Sequence, residues 1–77
     1  MYISVQFKDK DKKFKGRIYD YKVCDDEAEK PQKGDIIRMM DTNYNYIAYG
    51  TRVMVVDVKE RSATASQEIR FLKTTLD

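Results

Sequence analysis

The sequence predicts a small all-β barrel. Three observations carry that prediction. Short apolar runs alternate with a period of two, charged or glycine-containing loops separate them, and no stretch forms a convincing central helix. A chain of 77 residues is read as one domain, 1–77. At this size a core rarely supplies more than about 3–5 kcal/mol of net stability, so packing, a partner or a second copy of the chain has to contribute.

The first run puts Ile3, Val5 and Phe7 on one side and Tyr2, Ser4 and Gln6 on the other, which describes a half-buried strand. KDKDKK, Lys8 to Lys13, is too charged to bury and reads as a hairpin tip or connecting loop. Alternation resumes from Phe14 to Cys24. Tyr19, Tyr21 and Val23 share one face there; Ile18, Asp20, Lys22 and Cys24 share the other. Gly16 marks a bulge or sharp bend. The following DDEAEKPQKGD holds Pro31, which sits badly in a central strand, and reads as a surface loop. It ends in a turn at Lys33-Gly34-Asp35, where glycine takes positive φ without steric cost.

Ile36–Met40 is the third strand, and a long fourth begins near Thr51. Alternation assigns Met54, Val56 and Val58 to the core, and Val53, Val55 and Asp57 to the outside. Two outward valines imply that something covers that face: the C-terminal segment, a partner, or a second subunit in a homodimer. The tail supports two readings. Ser62 can cap a short helix with Ile69 and Leu72 at i, i+3, whereas Ile69 and Phe71 alternate as a closing strand. The strand reading, Glu68–Lys73 after a turn at Ser62–Ser66, is preferred. About five short strands with long polar loops suggest a bent sheet that closes and so removes its edges. An SH3-like barrel fits this length and strand count. An OB-type barrel usually needs a longer chain, and a ubiquitin-like roll needs a helix.

Charge is uneven along the chain. The total is +2, but Lys8 to Arg17 carries six basic and two acidic residues, and Asp25 to Glu29 carries four acidic and no basic ones. Cys24 is the single cysteine and histidine is absent, which removes an intrachain disulfide and the commonest zinc, haem and acid–base ligands. No cofactor is expected. The start lacks a basic segment followed by a long apolar one, so it is not read as a signal peptide. No apolar run approaches the roughly 20 residues of a membrane span. The expected location is the cytoplasm, with which a free cysteine agrees.

Val5-Gln6-Phe7, Tyr19 to Val23 as Y-x-Y-K-V, Lys33 to Ile37 as K-G-D-I-I, and the valine-rich Val53 to Val58 form a familiar sequence of motifs. With the tail SATASQEIRFLKTTLD, the chain resembles small uncharacterised proteins of phages and prophages of Gram-positive bacteria, which are expected to be SH3-like barrels. The resemblance implies a phage-like origin and a host-cell cytoplasmic location. It also implies a function by docking onto a larger host or phage complex, and it brings no catalytic residues.

Asp41-x-Asn43-x-Asn45 matches the first ligands of a calcium loop, but Tyr46 stands where the turn glycine belongs and Arg52 where the bidentate glutamate belongs. Asp and Asn are ordinary turn residues. The acidic run at 25–29 is read as solvated rather than as a metal site. Tyr44 and Tyr46, two apart on a strand, would share a face opposed to Tyr49. With Arg38, Arg52, Val53 and Val55 they form the expected protein-contact patch, since tyrosine and arginine are enriched at binding hot spots. The alternative is direct binding of single-stranded nucleic acid, with bases stacked on tyrosines and phosphates held by Lys8, Lys10, Lys12, Lys13, Lys15 and Arg17. Catalysis is not expected. No glycine-rich phosphate loop or activated nucleophile is visible, and nothing in the spacing brings Asp20, Asp35 and Asp57 together.

Overall fold

A computed structural model describes residues 1–47, 51–65 and 67–74. Its strands are β1 (Tyr2–Lys8), β2 (Phe14–Val23), β3 (Ile36–Met40), β4 (Arg52–Lys59) and β5 (Glu68–Thr74). They close into a barrel in the order β1-β2-β5-β3-β4. The predicted all-β class is therefore what the chain adopts, a five-stranded barrel consistent with an SH3-like one. The tail resolves as strand. Among the described residues no helix is long and apolar enough to cross a membrane.

Each strand contributes two core residues spaced by two: Ile3 and Val5, Tyr21 and Val23, Ile37 and Met39, Val53 and Val55, Ile69 and Phe71. That spacing is the pleat, which sends alternate side chains inward. The β1–β2, β1–β4, β3–β4 and β3–β5 pairs are antiparallel. Closure uses a short parallel contact, Lys22 opposite Glu68 and Val23 opposite Ile69. Backbone hydrogen bonds from Lys22 to Gln67 (3.1 Å) and from Cys24 to Ile69 (2.9 Å) extend it.

Two bulges shape the barrel. On β2, Gln6 faces Ile18 but Lys8 faces Phe14, so β2 gains extra residues around Gly16, whose φ is +92°. The predicted bend at Gly16 is present. On β4, Ser4 faces Asp57 while Val5 faces Val55, which leaves Val56 as the extra residue. This second bulge corrects the sequence reading of β4. Val53 and Val55 are fully buried, not outward. Met54 and Val56 are only partly buried, and Val58 packs on the core because the bulge has swapped the faces between Val55 and Val58. An extra residue breaks a period of two, so uninterrupted alternation assigns one half of such a strand to the wrong side.

Two smaller corrections follow. Ser4, expected on the polar side, is buried because its hydroxyl donates to the Asp20 carboxylate at 2.6 Å. Pro31 is fully buried within a loop that is otherwise mostly exposed. That loop ends in the expected turn: Asp35 donates its backbone N–H to Gln32, and Gly34, at φ +94°, donates to Val55.

The KDKDKK tip and the DTNYN segment adopt the same five-residue turn. In the first, Asp9 and Lys13 close the loop at 2.8 Å, Lys12 N–H reaches the Asp9 carbonyl, and Asp9 Oδ1 accepts from the Asp11 and Lys13 N–H groups. In the second, Asp41 and Asn45 close it at 2.8 Å, Tyr44 N–H reaches the Asp41 carbonyl, and Asp41 Oδ1 accepts from Asn43 and Asn45. A type I turn followed by a left-handed residue has this pattern. These backbone donors hold the carboxyl groups of Asp9 and Asp41 below the ordinary carboxylate range.

Candidate partner-binding face

The outer faces of β5, β3 and β4 form one surface, because their residues lie in register. Thr74, Ile36 and Met54 make one row and Leu72, Arg38 and Arg52 the next. Arg70, Met40 and Tyr46 make the third, with Tyr46 joined to Met40 by an isolated bridge. Three arginines, Leu72 and Tyr46 thus share a face, with Glu68 at the far end of β5. Leu72 and Tyr46 are about half exposed and Tyr44, beside them in the turn, is 65% exposed.

Each tyrosine is seated against an arginine. The Arg38 guanidinium lies 5.3 Å from the Tyr46 ring centroid and that of Arg70 lies 4.7 Å from Tyr44. The expected Tyr44/Tyr46 pair is therefore on one surface, though not by strand alternation. Tyr44 sits in the turn at φ +65° and Tyr46 at its exit. Tyr49 lies outside the described residues. Arg38 and Arg52 belong to the face as expected; Val53 and Val55 do not, since both point into the barrel.

Arg70 went unnoticed in the sequence, and it organises one end of this surface. It grips Asp26 with two bonds of 3.1 and 3.0 Å, reaches Glu27 at 3.4 Å, and donates to the Thr42 carbonyl at 3.4 Å. The acidic loop is thus folded onto the barrel, and Arg70 holds the Asp26 carboxyl below its usual range. Arg38 differs. Its Nε is buried with no hydrogen-bond partner, alone in that respect among the described residues. Arg52 sits directly opposite it and reaches Thr74 Oγ1 at 3.5 Å.

A second polar cluster is structural. Asp20 accepts from Ser4 and Ser62 hydroxyls at 2.6 Å each, from Lys59 Nζ at 3.0 Å and from Thr64 at 3.2 Å. These hydrogen bonds, Ser4 and Ser62 foremost, hold its carboxyl far below the ordinary value despite burial. Asp35 instead pairs with Lys73 at 3.4 Å, and Asp57 accepts from the Val58 N–H, so the three aspartates serve separate sites. Cys24 is buried, and burial raises its thiol pKa. Among the described residues no group of three or more Cys, Asp or Glu is placed to hold a metal ion.

The basic residues expected to meet nucleic acid all lie on the β1–β2 hairpin. Lys10, Lys12 and Lys13 are exposed at its tip. Lys15 is drawn to Asp9 and Asp11 at 3.3 and 3.8 Å, Lys8 lies 5.7 Å from the Phe14 ring centroid, and Arg17 lies 5.3 Å from that of Tyr19. They form a group separate in the fold from the β3–β5 face. No family model, curated protein or solved structure matches the chain.

Proposed function

We propose that the chain is a non-catalytic accessory module that docks the outer face of β3, β4 and β5 onto an acidic, apolar-anchored segment of a protein, alone or within a nucleoprotein complex. The observation that carries this reading is the Arg38 Nε, a buried donor with no hydrogen-bond partner, which a carboxylate of the docked segment would satisfy. Arg52 lies directly opposite it on the neighbouring strand. Leu72 beside the pair and Tyr46 over Arg38 offer apolar area at the same spot. Partly buried arginine and exposed tyrosine beside an apolar anchor are the composition of a binding hot spot. The resemblance to phage and prophage proteins supports an origin and a setting: the cytoplasm of a host cell, where the module modulates or inhibits a host complex.

The test is capture of a partner from that host by the wild-type chain and by Arg38→Glu, Tyr44→Ala, Tyr46→Ala and Leu72→Ala variants. Loss of one specific complex in the variants, with melting curves near wild type, supports the reading; retention of the complex by Arg38→Glu refutes it. Direct single-strand binding by this face would show instead as affinity for labelled DNA or RNA that collapses as salt rises.

A further inference from the structure

A concavity opens at the barrel end beside the β1–β2 hairpin. It measures about 400 Å³, within the range of about 300–1,000 Å³ usual for small-ligand sites. Its floor is aromatic: Phe7, Tyr19 and Tyr21 all come from the inward-facing series of β1 and β2, but here the barrel is open and Tyr19 remains 40% exposed. Phe7 and Tyr19 meet edge to face at 5.5 Å, which fixes both rings. The rim is cationic, with Lys8, Lys15 and Arg17. The rim carboxylate, Asp9, is already engaged by two backbone N–H groups and Lys15. Lys8 and Arg17 have no carboxylate partner among the described residues, and both lie against aromatic rings.

From this arrangement we infer that the barrel mouth binds one nucleotide unit, its base packed on the Phe7–Tyr19 rings and its phosphate between Lys8 and Arg17. An aromatic ring face accepts any base, and the Arg17 guanidinium that now lies over the Tyr19 ring turns from it to the phosphate as the base takes its place. Base and phosphate are one sugar apart, which matches an aromatic floor with cations directly at its edge. An acidic peptide fits less well. It would lie along the β2 edge that β5 leaves unpaired below Lys22, and its carboxylates have no use for an aromatic floor. The unit can come as a free mononucleotide or as one residue of a single strand.

The test is amide NMR titration of the labelled protein at low salt with adenosine monophosphate, adenosine, inorganic phosphate and single-stranded oligoadenylate. Adenosine monophosphate is expected to shift Phe7, Lys8, Arg17, Tyr19 and Tyr21, with adenosine and phosphate each at least about tenfold weaker because each lacks one half of the contact. Arg17→Ala and Tyr19→Leu are each expected to weaken the nucleotide about tenfold while the melting curve stays cooperative. Equal affinity for mononucleotide and oligoadenylate identifies the free nucleotide as the source; much tighter, salt-sensitive binding of the oligomer identifies a strand. The proposal is overturned by shifts confined to the β3–β5 face or absent altogether. It is overturned equally by phosphate matching the nucleotide, or by an acidic tyrosine-containing peptide occupying the mouth more tightly than any nucleotide.

Discussion

Lys12 and Tyr44 occupy the same position in two copies of one turn, at φ +62° and +65°. Each follows an aspartate by three residues, and each is an L-residue in the left-handed region, which costs about 1–2 kcal/mol. Lys12→Gly is therefore expected to stabilise the fold by about 1 kcal/mol, read as a higher midpoint in urea. Tyr44→Gly relieves the same strain but loses the ring stacked on Arg70, so its gain is expected to be smaller. If both variants shift the midpoint equally, the Tyr44–Arg70 contact contributes nothing to stability.

Asp20 should dominate the acid limb of the stability profile. Its folded carboxyl lies far below the unfolded value of about 3.9. The stabilisation is thus complete above that value and is lost as pH falls below it toward the folded one. Asp20→Asn is expected to cost about 2 kcal/mol at neutral pH, the worth of hydrogen bonds to a charged acceptor, and to flatten the dependence below pH of about 4. Denaturant melts of both proteins across that range give the comparison. Parallel acid limbs would mean another carboxylate controls the loss.

Burial separates Val55, which sequence alternation assigns to the contact patch, from Leu72, which the strand register places on the β3–β5 face. Val55→Ala empties part of a fully enclosed site and is expected to cost about 2 kcal/mol. Leu72→Ala removes a half-exposed side chain and is expected to change stability by less than about 0.5 kcal/mol. Thermal melts of the two variants distinguish core from contact surface directly.

Arg38 trades stability for availability. A buried donor without an acceptor costs about 1–3 kcal/mol, so Arg38→Met, which keeps the stem and drops the donor, is expected to leave the fold at least as stable as wild type, by up to about 1 kcal/mol. The same variant should lose the partner. A destabilised Arg38→Met protein would show that the guanidinium serves the fold rather than the interface.

Local pattern was enough to place all five strands, the bend at Gly16 and the turn at Gly34, because alternation and backbone permissiveness are properties of neighbouring residues. It failed at β4, where Val56 is inserted and the two faces exchange. Nothing within Thr51–Lys59 signals that insertion; it is visible only against the partner strand β1. The roles of Arg70 and Asp20 are invisible in the sequence for a related reason. The partners of Arg70, Asp26 and Glu27, and most of those of Asp20, Lys59, Ser62 and Thr64, lie roughly forty residues away; Ser4 is nearer but on another strand. Tyr44 and Tyr46 do share one surface, but turn geometry rather than strand alternation puts them there. Arg38 and Arg52 could be named from composition, but their opposition across β3 and β4 required the register.

The parallel contact between β2 and β5 has a kinetic consequence. β5 slots between β2 and β3, strands laid down some thirty to forty-five residues earlier, so the ring stays broken until that distant segment has been synthesised and threaded home. In the interval β2 and β3 each offer a bare row of amides and carbonyls to any neighbouring nascent chain. Non-local closure of this kind is slow compared with hairpin formation. A transient, self-templating gap is thereby built into a molecule whose ring is finally shut by two residue pairs.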